Sequence, residues 1–156
     1  MALVRILVDG YSLLHGWPQL APGKARHSEA ARDELIRILT LYQDLSGTPI
    51  TIFFDGVGKV RNSPGEISTK CVEVLFSSSA QTADQMIERV AHRMAEYGEV
   101  MVVTDDYAER DTVVNLGGTS SSCDNFVRMI ENALAEMAED IKHHNRREQN
   151  RFKRRQ

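Results

Sequence analysis

Cysteine is scarce in this chain: Cys71 and Cys123 stand alone, with no CxxC pair. Two separated thiols argue against a disulfide scaffold and suit a reducing cytosol. Long hydrophobic runs are missing too. No stretch approaches the roughly 18 to 20 apolar residues of a membrane span. The N-terminus lacks the basic flank, apolar region and cleavage site of a signal peptide. The expectation is a cytoplasmic protein that does not engage a membrane. Common catalytic signatures are equally absent, with no Walker A motif, GxGxxG, GxSxG or HExxH. His15, His27 and His92 show no ligand spacing, and no Ser or Cys nucleophile has a persuasive base. What remains is an ordinary globular composition, 42% hydrophobic and 26% charged over 156 residues, enough for one core and one domain.

What the chain does have is aspartate at the ends of apolar runs. ILVDGYSLLHGWP, TIFFDG and VMVVTDDYAERD each pass from strand-like sequence into an acid. A fourth acid, Asp84, opens a helix shortly after the run VEVLF. Apolar runs of this length between helical patterns read as buried parallel strands. The carboxyl ends of parallel strands share one edge of the sheet, where ligand crevices form. Asp9, Asp55, Asp84, Asp105 and Asp106 are therefore expected to gather at that edge. Clustered carboxylates repel unless a cation neutralises them, and a hard divalent ion such as Mg²⁺ or Mn²⁺ is the simplest one.

The individual acids carry different weights. Asp9 directly follows a long apolar strand, where a carboxylate without a partner is costly, so a site role is expected. Asp84 follows Thr82 in a capping-box pattern with Gln85, which places it in a first helical turn, where dipole compensation is the bland alternative. Asp105 and Asp106 are adjacent, so one is expected as a metal ligand and the other as a helix N-cap. Asp111 and Asp124 fit helix surface or capping roles, and Glu88 sits one turn beyond Asp84.

The expected order of elements is a strand over Leu3 to Val8, a helix from Ser28 to Ser46, and the strands ITIFF, VEVLF and VMVVT. Helices are expected over Thr82 to Tyr97, over Tyr107 to Asn115, and from Ser122 onward, with a brief edge strand after Gly117 and Gly118. The segment from Asp55 to Lys70 shows no convincing helical pattern, and a loop that long is usually functional. Its Lys59, Arg61 and Lys70 are candidates to face phosphate. The last helix loses its apolar face after Ile141, where it is expected to fray or project.

Charge is uneven. Lys142 to Gln156 holds seven basic residues against one Glu, a net +6, which leaves −9 for the rest. A basic tail on an acidic body suits a polyanion, because phosphates reward clustered cations through counterion release. A solvated helix end is the bland alternative. Metal-assisted phosphodiester hydrolysis needs only carboxylates from the protein, which matches this inventory. A haloacid-dehalogenase phosphatase would want a second Asp where Tyr11 stands.

In order, ILVDGYSLLHGWP, AARDELIRIL, TIFFDG, TADQMIERV and VVTDDYAER resemble the YacP-like NYN domain family, a branch of the PIN-like nucleases. The resemblance spans residues up to about Ile141, giving a nuclease domain over 1–141 and a basic tail over 142–156. It implies a three-layer α/β/α fold with a central, mostly parallel sheet of four to five strands. It further implies a Mg²⁺- or Mn²⁺-dependent endoribonuclease acting on single-stranded RNA, with ribosome-associated messenger RNA and the ribosome as expected partners. Asp9, Asp84 and Asp106 match the family's metal-binding acids, with Asp105 or Asp124 as candidates for a second ion. Asp105 stands where the family usually has Ser, and Ser12 where it usually has Asn. Ser12, His15, Trp17 and Arg32 are the candidates for substrate contact, Trp17 by stacking on an unpaired base. Two other readings stay open: a non-catalytic RNA- or ribosome-binding module, and a metal-dependent phosphatase with a small substrate.

Overall fold

The computed structural model describes residues 3–56, 72–78 and 80–154. Its strands are β1 (Leu3–Asp9), β2 (Ile50–Phe54), β3 (Glu73–Phe76), β4 (Glu99–Val103) and β5 (Thr119–Ser121). Its helices are α1 (Gly10–His15), α2 (Glu29–Ser46), α3 (Ala83–Met94), α4 (Tyr107–Asn115) and α5 (Cys123–Arg154). The sheet order is β3-β2-β1-β4-β5, and every pairing is parallel. The expected α/β/α architecture is therefore present, with the brief edge strand as its fifth.

Alternation along the strands splits the core in two, because successive side chains point to opposite faces. Ile6, Val8, Ile52 and Phe54 pack with α1, α2 and α5 on one face. Leu7, Phe53 and Val102 pack with Ala83, Ile87 and Val113 of α3 and α4 on the other. All five residues of β2 are buried, so its sequence reads as a near-continuous apolar run; the exception, Thr51, accepts from Arg5 at 3.0 Å and donates to Glu73 at 3.2 Å.

Local signals place the helix ends. Ser28 Oγ accepts from the amide of Ala31 at 3.1 Å, and Gly47 closes α2 in the left-handed conformation at φ 74°. The capping box on α3 forms as read: Thr82 Oγ1 accepts from the Gln85 amide at 3.2 Å, and Gln85 accepts from the Thr82 amide at 3.0 Å. Helix α1 has no counterpart in the expectations. Six residues are too few to show a helical period, and its start depends on Asp9 as N-cap. Helix α5 does not fray at Ile141. It continues to Arg154, and its side chains are exposed throughout 138–153, so the end projects from the body. The stretch from Ile141 to Arg154 reaches about 20 Å at 1.5 Å per residue. Lys59, Arg61 and Lys70 lie outside the described residues.

The chain enters the sheet at its centre, runs outward to β2 and β3, then crosses back to β4 and β5. The reversal lies between β1 and β4. A crevice opens at such a switch point, at the carboxyl ends of the strands. Asp9 closes β1 there, and Thr104, Asp105 and Asp106 follow β4.

Candidate metal centre

Asp9, Asp84 and Glu109 meet in this crevice, each offering a carboxylate oxygen within 4.8 Å of the others. Each comes from a different element: the end of β1, the first turn of α3 and the first turn of α4. Asp55 helps hold the arrangement, since its Oδ1 accepts from the Ala83 amide at 2.8 Å and from Ser77 Oγ at 3.2 Å. That bond ties the start of α3 to the end of β2 and fixes where Asp84 points. Gly10 lets the backbone pass beside the core, because a Cβ there would come within 2.6 Å of the buried Phe54 ring.

Electrostatically the group is strained. Asp9 is pushed up to about 6, chiefly by burial, then by the negative charges of Asp84, Asp55 and Asp106, against a lowering bond from the Ser12 amide. Glu109 is driven far above the usual carboxylate range, first by burial and then by the charge and closeness of Asp84, with Asp9 adding to it. Only 2% of Glu109 is exposed, and neither of its carboxylate oxygens has a hydrogen-bond partner among the described residues. A buried carboxylate without a donor is expensive. Three convergent oxygens with one such orphan are the donor set that a hard divalent cation takes.

Sequence reasoning did not single out Glu109. An acid in a first helical turn suggests dipole compensation. The available signal was phase: Glu109 and Val113 are four residues apart and are the two buried positions of α4, so the acid sits on the inward stripe.

The other sequence candidates are placed as follows. Asp106 is the N-cap of α4, where its Oδ1 accepts from the Ala108 amide at 2.9 Å, and its charge is felt by Asp9. Asp105 turns the other way: Oδ1 accepts from the Cys123 amide at 2.9 Å and from Arg110 at 3.4 Å, which fixes the start of α5. Asp124 pairs with Arg128 at 2.9 Å on the exposed side of α5. Ser12 serves as a joint, its Oγ accepting from the Asp105 amide at 3.2 Å and from Cys123 Sγ at 3.5 Å.

Trp17 is 7% exposed and packs in the core beneath α1 and α2, so the stacking surface expected of it is not available. The neighbouring segment is organised by Arg26, which donates to the carbonyls of Leu14, Trp17, Leu20, Ala21 and Lys24 at 2.8 to 3.3 Å. His15 is exposed and faces the His27 ring at 5.3 Å; His27 lies against Tyr11 at 4.4 Å. Arg32 donates to Tyr11 Oη at 3.2 Å and to the His27 carbonyl at 2.7 Å, with its guanidinium over Phe76. His15 and Arg32 thus share one ledge with Tyr11, two residues after Asp9.

Comparison with known proteins points the same way. The YacP-like NYN domain family matches residues 6–156, through the basic end of α5 as well as the α/β body. A curated relative, the uncharacterized protein YacP of Bacillus subtilis strain 168, is 33% identical over 127 residues, covering 81% of this chain and 74% of that protein. The crystal structure of Rae1 (YacP) from Bacillus subtilis superposes with a TM-score of 0.76 at 29% identity, over 92% of this chain and 81% of that one. A single-residue variant of the same protein superposes equally well, with a TM-score of 0.76 and 84% of its chain covered. No helix among the described residues is long and apolar enough to cross a membrane. The chain belongs to the YacP-like NYN domain family, which is related to the PIN-like nucleases.

Proposed function

We propose that this protein is a cytoplasmic, Mg²⁺- or Mn²⁺-dependent endoribonuclease that hydrolyses phosphodiester bonds in single-stranded RNA. The observation that carries the reading is the convergence of Asp9, Asp84 and buried, unpartnered Glu109 at the switch point of the sheet. Family membership supplies the nuclease prior, and the carboxylate-only donor set supports hard-metal chemistry.

In this reading Asp9, Asp84 and Glu109 hold the ion. A bound divalent ion supplies an activated water and offsets charge on the phosphate. The protein's own part is positioning. Asp55 and the capping box set Asp84, Ser12 locks the turn after Asp9 against β4, and Asp106 starts α4 so that Glu109 points inward. His15 and Arg32, which share the ledge with Tyr11 two residues after Asp9, are assigned to contact with the phosphate backbone. The test is cleavage of a single-stranded oligoribonucleotide with Mn²⁺ or Mg²⁺, repeated with EDTA. Cleavage that stops in chelator is the expected result; cleavage that persists would sink the metal-dependent reading, and binding without cleavage would favour the non-catalytic module.

The projecting end of α5 is assigned to phosphate contact. Truncation after Ile141 is expected to weaken RNA binding and leave metal binding unchanged, because the last buried position of α5 is Ile130. The salt dependence should flatten by about two to four in log–log slope, at roughly 0.7 for each phosphate that the truncated protein no longer neutralises. Titrations of both forms at several salt concentrations check this; identical slopes would leave the tail a solvated helix end.

A further inference from the structure

The acidic body makes a difficult surface for RNA to approach. Its −9 charge repels phosphate near the crevice, so a neutral contact to a base is worth more there than further polar groups. Trp17 cannot supply that contact, being buried. Three large aromatic side chains are strongly exposed among the described residues: Tyr97 at 72%, Tyr107 at 76% and Phe152 at 69%. Tyr97 precedes β4 and so lies at the opposite edge of the sheet, and Phe152 lies on the projecting end of α5. Tyr107 opens α4 at the carboxyl-end edge of the sheet, the edge that carries the crevice, directly after Asp106 and two residues before Glu109.

Tyr107 is also held in place. Its ring lies 5.0 Å from the Arg110 guanidinium carbon. Arg110 is itself fixed, Nε donating to the Thr104 carbonyl at 2.9 Å and Nη2 to the Asp105 carboxylate at 3.4 Å. One face of the ring is thus backed by an anchored cation while the residue stays open to solvent. An exposed ring that is already ordered loses little entropy when something stacks on it.

We infer that Tyr107 is a base-stacking platform, on which an unpaired RNA base next to the scissile phosphate lies against the ring backed by Arg110. The inference rests on the ribonuclease reading above and adds the substrate contact that the buried Trp17 does not make. Stacking on an aromatic ring tolerates any base, because every base has a π-face.

The test is fluorescence-anisotropy binding of a labelled single-stranded oligoribonucleotide in Ca²⁺, compared across wild type, Tyr107→Ala and Tyr107→Phe. Tyr107→Ala should bind about 5- to 100-fold more weakly, the range for loss of one base–aromatic stack. Tyr107→Phe should keep wild-type affinity, since the ring is retained. An oligoribonucleotide with an abasic position at the stacked nucleotide should bind wild type and Tyr107→Ala alike. Melting temperature should hardly move in either variant, which separates stacking from a structural role. If wild type binds the RNA and Tyr107→Ala binds it equally well, the platform is overturned and the ribonuclease reading survives. If wild type does not bind single-stranded RNA at all, both are overturned.

Discussion

Replacing Asp9 or Asp84 with Asn is expected to abolish RNA cleavage, and Asp9→Asn is expected to make the metal-free protein more stable. A metal site loses roughly 10- to 100-fold when only an outer partner is removed, so loss of a direct ligand should exceed about a hundredfold. The stability gain follows from the raised carboxyl group of Asp9. Its folded value of about 6 stands above its ordinary 3.8, so between these values the folded state binds more protons than the unfolded state. Stability is then fully present below the ordinary value and is lost as pH rises through the folded one. At neutral pH the ionised carboxylate costs about 2 to 3 kcal/mol, since each tenfold change in proton affinity is worth about 1.36 kcal/mol. Asn keeps an oxygen for the Ser12 amide and carries no charge, so Asp9→Asn recovers part of that cost. For a domain of this size each kcal/mol raises the melting temperature by about 2 to 4 °C. Thermal melts in EDTA beside cleavage assays in Mn²⁺ check both halves. A destabilised and inactive Asp9→Asn would point to a structural role for the carboxylate instead.

Glu109→Gln is expected to have the sharpest effect on metal binding. The wild-type protein should show a Mn²⁺-dependent rise in melting temperature that Glu109→Gln largely loses. Asp106→Asn should keep it, because an Asn at this N-cap still accepts from the Ala108 amide. The metal-free proteins should differ in the opposite sense. Glu109 is held protonated by burial and by Asp84, so the metal-free wild type should go on losing stability as pH rises above the titration of Asp9. Glu109→Gln, with no proton to lose, should flatten that upper limb. Metal must displace the same protons, so wild-type Mn²⁺ affinity should climb between about pH 6 and 8. Calorimetric titration of Mn²⁺ at several pH values measures this directly. Equal Mn²⁺ affinity in wild type and Glu109→Gln would move the ion away from Glu109, and loss of binding in Asp106→Asn would move it toward that residue.

Much of this was legible in the chain itself. The near-continuous apolar run of β2, the helical stripe of α2 and the capping box at Thr82 each report on neighbours along the sequence, so local periodicity and turn chemistry were enough to find them. The acids at strand ends were equally plain, because parallel strands must bring their carboxyl ends to one edge. Tertiary structure decided which acids converge. Asp105, Asp106 and Glu109 lie within five residues of one another, yet one fixes α5, one starts α4 and one enters the crevice. The difference is the phase at which α4 docks against α3: packing of Val113 with Ile87 and the sheet turns inward the stripe that also carries Glu109, four residues earlier. The same holds for Trp17, whose sequence neighbours suit a loop, but whose ring fills the core because Arg26 folds the following segment over it. Sequence spacing specifies which face of an element a side chain occupies; what that face meets is set only when the layers close.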